Sequence, residues 1–164
     1  MAGIIGSLTN TVVSRLSSTT DGVSARAAAI MLTEPQAQTA GIRTILAQNA
    51  SAEITEKAGQ THYPSLFVYC DKMSNPLKEK FRRFSGKAHM VVEVRHSQDR
   101  LETIEGNLQM YVDAVCALLD DSRGDWGDGA FYTGGYEVTY DAVTRGGKNY
   151  LQRARVGFDV EVSK

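Results

Sequence analysis

The stretch that decides the fold runs from residue 87 to residue 119. It reads Lys87-Ala-His-Met-Val-Val-Glu-Val-Arg-His96, then Ser97-Gln, then Asp99-Arg-Leu-Glu-Thr-Ile-Glu-Gly-Asn-Leu-Gln-Met-Tyr-Val-Asp-Ala-Val-Cys-Ala-Leu-Leu119. In its first part Met90, Val92 and Val94 alternate with His89, Glu93 and Arg95. Successive side chains point to opposite faces of a strand, so this period of two predicts a half-buried β-strand over 87–96. In its second part Leu101, Ile104, Leu108, Tyr111, Val112, Val115, Leu118 and Leu119 recur at helical spacing, which predicts an amphipathic helix over 99–119. Ser97 or Asp99 is positioned to cap its start, and Gly124 to end it. Leu108, Val112 and Val115 are then expected to pack on Val92, Val94, Val156 and Phe158.

Outward towards the C-terminus, the glycine-rich run Asp125 to Gly135 predicts a loop. Beyond it Tyr136, Val138 and Tyr140 alternate with polar residues. After the turn Arg145-Gly-Gly-Lys148, so do Ala154, Val156, Phe158, Val160 and Val162. Two alternating runs about a glycine turn predict a β-hairpin. Outward in the other direction, Pro64-Ser-Leu-Phe-Val-Tyr-Cys70 is a short apolar run suited to a buried strand.

Residues 1–60 contain no aromatic residue, and all seven Tyr, all five Phe and the one Trp follow them. This first zone is expected to be helical and thinly packed. Ile4, Ile5, Leu8, Val12, Val13 and Leu16 make one helical stripe, which Asp21-Gly22 breaks. Ala25 to Leu32 favours a second helix by propensity, and Pro35 discourages its continuation. Ile42, Ile45 and Leu46 suggest another helical stripe. Residues 51–58 suggest a short helix begun by Ser51, without a capping box because Ile54 stands where Glu or Gln belongs. Helices, strand, strand, long helix and hairpin, in that order, predict one α+β domain over 1–164: a small antiparallel sheet flanked by helices, with a helical N-terminal region.

A chain of 164 residues with 42% hydrophobic and 23% charged residues has the composition of a globular domain, not of a disordered or fibrous protein. Met1 to Ser14 is the longest uncharged stretch; it is too short to cross a bilayer and lacks the basic start of an export signal. Cys70 and Cys116 sit in apolar runs and are expected to be free thiols.

Chemistry is harder to find. No cysteine has a partner at zinc-binding spacing, and the odd separation of His89 and His96 sends them to opposite strand faces. Counted from Asp121, a calcium loop would need Gly at Trp126 and Glu at Tyr132, so the pattern fails. The glycines at 127–135 follow a helix and precede a strand, the reverse of a phosphate cradle. Arg123-Gly-Asp125 is a three-residue match of the kind chance supplies. No nucleophile elbow occurs. No catalytic, cofactor or metal residue is therefore assigned, and the chain is not expected to be an enzyme.

Charge is more informative. The chain has a net charge of −1, but residues 78–87 carry +4 through Lys78, Lys80, Arg82, Arg83 and Lys87 against Glu79. Residues 143–155 carry another +4 through Arg145, Lys148, Arg153 and Arg155, while residues 99–128 carry −6. These nine cations are the candidate assembly-interface residues, suited to meeting acidic surfaces on a second copy or another partner.

The runs Tyr63–Cys70 and Glu79-Lys-Phe-Arg-Arg-Phe-Ser-Gly-Lys87, and the strand to Arg95, resemble those of the tail terminator (tail-completion) neck proteins of tailed bacteriophages. So do Ser97-Gln-Asp-Arg-Leu-Glu102, Gly124-Asp-Trp-Gly127 and Gly134-Gly-Tyr-Glu-Val138. The resemblance covers about residues 40–162 and is one of overall pattern. It implies a small antiparallel sheet flanked by helices, assembled as a hexameric ring that caps the tail tube and joins it to the head-side connector or stopper protein. DNA would pass through such a ring without sequence-specific binding. The location it implies is the virion neck, after assembly in the host cytoplasm, with no membrane partner. No functional residue carries over, since that family acts through assembly surfaces. Two other readings stay open: another neck component, such as a head-completion or stopper protein, and a small α+β hydrolase or ligand-binding domain.

Overall fold

The strand predicted at 87–96 is the spine of the sheet, and it is longer than its apolar centre. In the computed structural model, which describes residues 3–33, 41–59 and 62–164, it extends over Ser85–Gln98. The described elements are α1 (Ile4–Leu16), α2 (Val23–Thr33), β1 (Thr44–Leu46), α3 (Ala52–Lys57), β2 (Ser65–Ser74) and β3 (Ser85–Gln98). They continue with α4 (Ile104–Asp120), β4 (Gly124–Gly127), β5 (Ala130–Tyr132), β6 (Glu137–Tyr140), β7 (Thr144–Gly146) and β8 (Asn149–Ser163). The architecture is α+β with a helical N-terminal region, as expected.

β3 pairs along its whole length with β8, from Ser85 opposite Ser163 to Gln98 opposite Tyr150. β2 lies antiparallel on the other side of β3, and β1 adds to β2 in parallel. The far edge of β8 is covered in turn by β7, β6 and β5, with β4 outside β5. The sheet is thus mixed, with one parallel pair in an otherwise antiparallel order.

Alternate residues of the long strands face α1, α2 and α4. Leu66, Val68, Met90, Val92, Val94, Val156, Phe158 and Val160 are buried in one cluster with Leu8, Val12, Leu16, Val23 and Ala27. Leu108, Val112 and Val115 of α4 belong to the same cluster, so the predicted helix face is the buried one. Trp126, Tyr132 and Phe158 close the core at one end, with ring centroids 5.4–6.2 Å apart in tilted and edge-on pairs.

Six expectations need correction. Residues 44–46 are not helical: Thr44–Leu46 pair with Ser65–Phe67, because β2 offers an open edge and β-branched Thr44 and Ile45 suit a strand. The long helix begins at Ile104 rather than 99, because the ladder with β8 carries β3 through Ser97 and Gln98. Neither Ser97 nor Asp99 caps it; Thr103 holds the cap position without a side-chain capping bond to the helix. Leu101, placed in the helical stripe, is half exposed before the helix. Strand β3 is not half-buried, since Val91, Glu93 and Arg95 on its second face are buried as well. The loop predicted from Asp125 contains the small hairpin β4–β5, whose turn residues Asp128 and Gly129 both have positive φ (53° and 77°), the geometry a tight two-residue hairpin turn needs.

The first and second helices and the short one after Ser51 are present, as is the hairpin turn at 145–148. The outer hairpin strand is broken into β6 and β7. Pro35, expected to end the second helix, lies outside the described residues.

Candidate assembly interface

The nine candidate cations fall into three places. Lys78, Lys80, Arg82 and Arg83 stand on the loop 75–84 that joins β2 to β3, and Lys87 follows at the start of β3; all five are exposed. Arg145 and Lys148 flank the β7–β8 turn. Arg153 and Arg155 stand in the middle of β8. Because β8 runs antiparallel to β3, the loop and the β7–β8 turn lie at opposite ends of the β3–β8 ribbon. At about 3.3 Å per residue, 14 residues of β3 separate them by roughly 45 Å. The two basic segments do not form one patch.

The second segment is also less positive than its sequence. Asp141 lies two residues before the 143–155 window, and its backbone N–H donates to the Arg153 carbonyl at 2.9 Å. Its carboxylate takes Arg153 at 3.0 Å and Arg155 at 2.9 Å. That leaves Arg145 and Lys148, without an ion pair among the described residues, as the charge at this end.

The β2–β3 loop is braced at its base. Asn75 staples its base: the Ser85 N–H donates to Oδ1 at 2.9 Å, and Nδ2 donates to the Arg83 carbonyl at 3.3 Å. The Phe84 N–H donates to the Lys164 carbonyl at 2.9 Å, and the Lys164 N–H returns to the Phe84 carbonyl at 2.8 Å. Arg82 approaches Glu79 at 3.6 Å, and Glu79 accepts from the Ser163 hydroxyl at 2.8 Å. Leu77 and Phe81 are in the left-handed region, with φ of 51° and 69°. Phe81 is fully exposed and Leu77 is 55% exposed. A 430 Å³ groove runs beside the loop between Pro76, Lys87, Phe131 and Glu161. The charge run masked these two apolar residues in the sequence. An aromatic inside a lysine- and arginine-rich turn was the available signal.

A second surface escaped the sequence reading. Along α4 the exposed residues Glu105, Asp113 and Asp120 and the half-buried Cys116 face Tyr136 and Tyr140 across the β6 edge. The Tyr136 hydroxyl donates to Asp120 Oδ2 at 3.4 Å. Burial raises the Tyr140 hydroxyl above its ordinary pKa, with Asp113, Cys116 and Glu105 adding to the shift. Burial and then Asp113 push the Cys116 thiol up to about 11, so it is an unreactive thiol at neutral pH. The result is an acidic face floored by tyrosine rings.

The back of the sheet, opposite the helix core, carries the one fully buried guanidinium among the described residues. Arg95 is 1% exposed. Its Nε donates to Glu93 Oε1 at 2.7 Å and its Nη1 to the Thr55 hydroxyl at 3.2 Å; Nη2 donates to the Ala50 carbonyl. Its carbon Cζ lies 3.8 Å from the centre of the Phe67 ring. The Tyr69 hydroxyl donates to Glu93 Oε2 at 3.2 Å, and burial followed by that carboxylate pushes its pKa up to about 12. With all three of its nitrogens bonded, Arg95 is a clamp fastening α3 to the sheet, not a free anion binder. Glu93 and Arg95 at i, i+2 on one strand face were the signal for it.

The histidines separate as their spacing requires. His89 Nδ1 lies 2.8 Å from Asp159 on the back face, its ring passing close over Gly157, where a Cβ would come within 2.9 Å. His96 lies on the helix face, tilted against Tyr111 at 5.8 Å. Both cysteines are free, and no three His, Cys, Asp or Glu residues are grouped to hold a metal among the described residues. Among the same residues, no helix is long and apolar enough to cross a membrane. No protein-family model matches the chain, and no curated protein matches it.

Proposed function

We propose that this chain is a structural virion protein of a tailed phage, one subunit of a six-membered ring that terminates the tail tube and joins it to the head-side connector. The resemblance over residues 40–162 supports this reading, and the α+β architecture is compatible with it. The observation that carries it is the display of exposed cations at both ends of a single long ribbon. Lys78, Lys80, Arg82 and Arg83 stand at one end, and Arg145 and Lys148 at the other. A subunit that must meet a neighbouring copy within its own ring and a different ring beyond it needs a contact at each pole, held at fixed separation by a stiff element. Paired strands of 14 and 15 residues are such an element.

The test is electron microscopy of particles assembled without this protein. The expected result is loose heads beside tubes of abnormal length, and normal virions would overturn the proposal. A sharper arm reverses Arg145 and Lys148 together to Glu. Single exposed ion pairs contribute roughly 0–1 kcal/mol, so one neutralisation should do little, but reversal adds repulsion at every repeat of a ring. The expected protein has normal circular dichroism and fails to join heads to tails, with a defect that depends on ionic strength. Unchanged titre and morphology would remove the β7–β8 turn from the contact.

A further inference from the structure

The β2–β3 loop has a cost that the fold of one chain does not explain. Non-glycine residues in the left-handed region are strained, because Cβ is brought too close to the following carbonyl oxygen, and this loop holds two of them, Leu77 and Phe81. Both are large apolar residues turned out to water, and Phe81 touches nothing that would bury it. The Asn75 staple and the backbone bonds to Lys164 hold them there. A braced, strained, water-exposed phenylalanine is a preformed knob awaiting a surface. Around it, Lys78, Lys80, Arg82 and Arg83 against Glu79 select an acidic one.

This chain itself carries a surface of that chemistry. Tyr136, Tyr140 and Cys116 supply an apolar floor, and Glu105, Asp113 and Asp120 supply the acidic surround. The two surfaces lie apart along β8: the loop is tied to Ser163 and Lys164 at its C-terminal end, whereas Glu137 to Tyr140 pair with Gly157 to Ala154, six to nine residues or roughly 20–30 Å away. One copy cannot close its own loop onto its own β6 edge. We infer that the Phe81 loop of one copy docks on the tyrosine-floored acidic face between α4 and β6 of a second copy. Because the two patches differ, the contact is heterologous, and repetition yields a closed ring or an open filament. The inference rests on the proposed function only for closure into a ring; the contact itself stands or falls alone.

Sedimentation of the purified full-length protein, from micromolar to millimolar concentration, tests it. Wild type is expected to self-associate, and more weakly as salt is raised. Phe81→Ser, at a position that buries nothing within the subunit, is expected to raise the dissociation constant roughly thirty-fold, as loss of an interface anchor does. Lys80→Glu with Arg82→Glu, and separately Glu105→Lys with Asp120→Lys, are each expected to abolish association. All four changes in one chain should restore it by exchanging the charges of loop and face. A wild-type chain that stays monomeric, an association indifferent to Phe81→Ser, or a four-fold variant no better than its parents would each overturn the contact. An assembly that responds to these variants but forms open filaments leaves the contact intact and overturns the ring.

Discussion

The β3–β8 ribbon and the β2–β3 loop that grows from its end are built on opposite terms. In the ribbon nearly every apolar side chain is buried, and the one fully buried guanidinium has a partner for each nitrogen. In the loop two large apolar side chains face water and two non-glycine backbones are left-handed. The ribbon is where folding free energy is gained, and the loop is where some of it is given up. Substitutions should therefore have opposite signs in the two regions, and that contrast can be broken by measurement.

The largest effect is expected at Val112, 1% exposed at the centre of the α4 face. Val112→Asp places a carboxyl among Val92, Val156 and Leu108 with nothing to pair it, at a cost on the order of 5 kcal/mol. A domain of this size has roughly 5–15 kcal/mol in total, so the variant should be largely unfolded near body temperature. Melting like wild type would show that the helix face is assigned to the wrong side.

Next comes Arg95. Arg95→Ala leaves Glu93 buried beside Tyr69 and frees the Thr55 and Ala50 oxygens, and breaking a buried pair in this way costs about 3–5 kcal/mol. Replacing both members, Glu93→Leu with Arg95→Met, should cost far less, because an apolar pair of similar volume needs no partners. Urea denaturation of the two variants decides the point. Equal losses would mean that Arg95 acts through its packing on Phe67 rather than through charge.

A smaller, pH-dependent effect belongs to His96. Burial lowers its pKa below the ordinary 6.5, opposed by its bond to Gln98, and its Nδ1 has no partner among the described residues. With the folded value below the unfolded one, the unfolded chain binds more protons in the window beneath pH 6.5. Its contribution to stability is therefore whole above that pH and lost as pH falls. His96→Phe keeps the ring against Tyr111 and removes the titration. Between pH about 7.5 and about 5.5, wild type should lose more stability than the variant. Equal losses would assign the pH dependence to other groups.

The ribbon and the helix packed on it were legible in the sequence because both periods are strong: Met90, Val92 and Val94 in steps of two, and Leu108, Val112 and Val115 at helical spacing. What failed was decided between elements. Ile42, Ile45 and Leu46 have helical spacing, but the open edge of β2 claimed residues 44–46, and a local pattern carries no record of such an edge. Asp128-Gly129 spells a tight hairpin turn, yet the glycines on either side made the whole stretch look irregular. The candidate interface was half legible. The positions of its cations were read, but not that Asp141 takes up Arg153 and Arg155, since strand pairing set that contact. Nor did a charge count reveal Phe81, because an exposed aromatic looks like a buried one until the turn around it is built.

The smallest effect on stability is also the one that separates the two regions most cleanly. At φ of 69° glycine fits without strain, so Phe81→Gly removes roughly 1–2 kcal/mol of backbone cost from the folded state. Glycine also frees the unfolded chain, which takes back about 0.5–1 kcal/mol. Phe81 buries nothing within the subunit, so no packing is lost. The net expectation is a subunit between unchanged and about 1.5 kcal/mol more stable, read as an equal or higher urea midpoint at unchanged slope. The same substitution should weaken association with the acidic face of a second copy roughly thirty-fold, as Phe81→Ser does. A protein steadier alone and weaker in company is what a functional knob predicts. If instead Phe81→Gly lowers the urea midpoint at concentrations where the wild type is monomeric, the ring is packed within its own chain, and the contrast between ribbon and loop fails at its sharpest point.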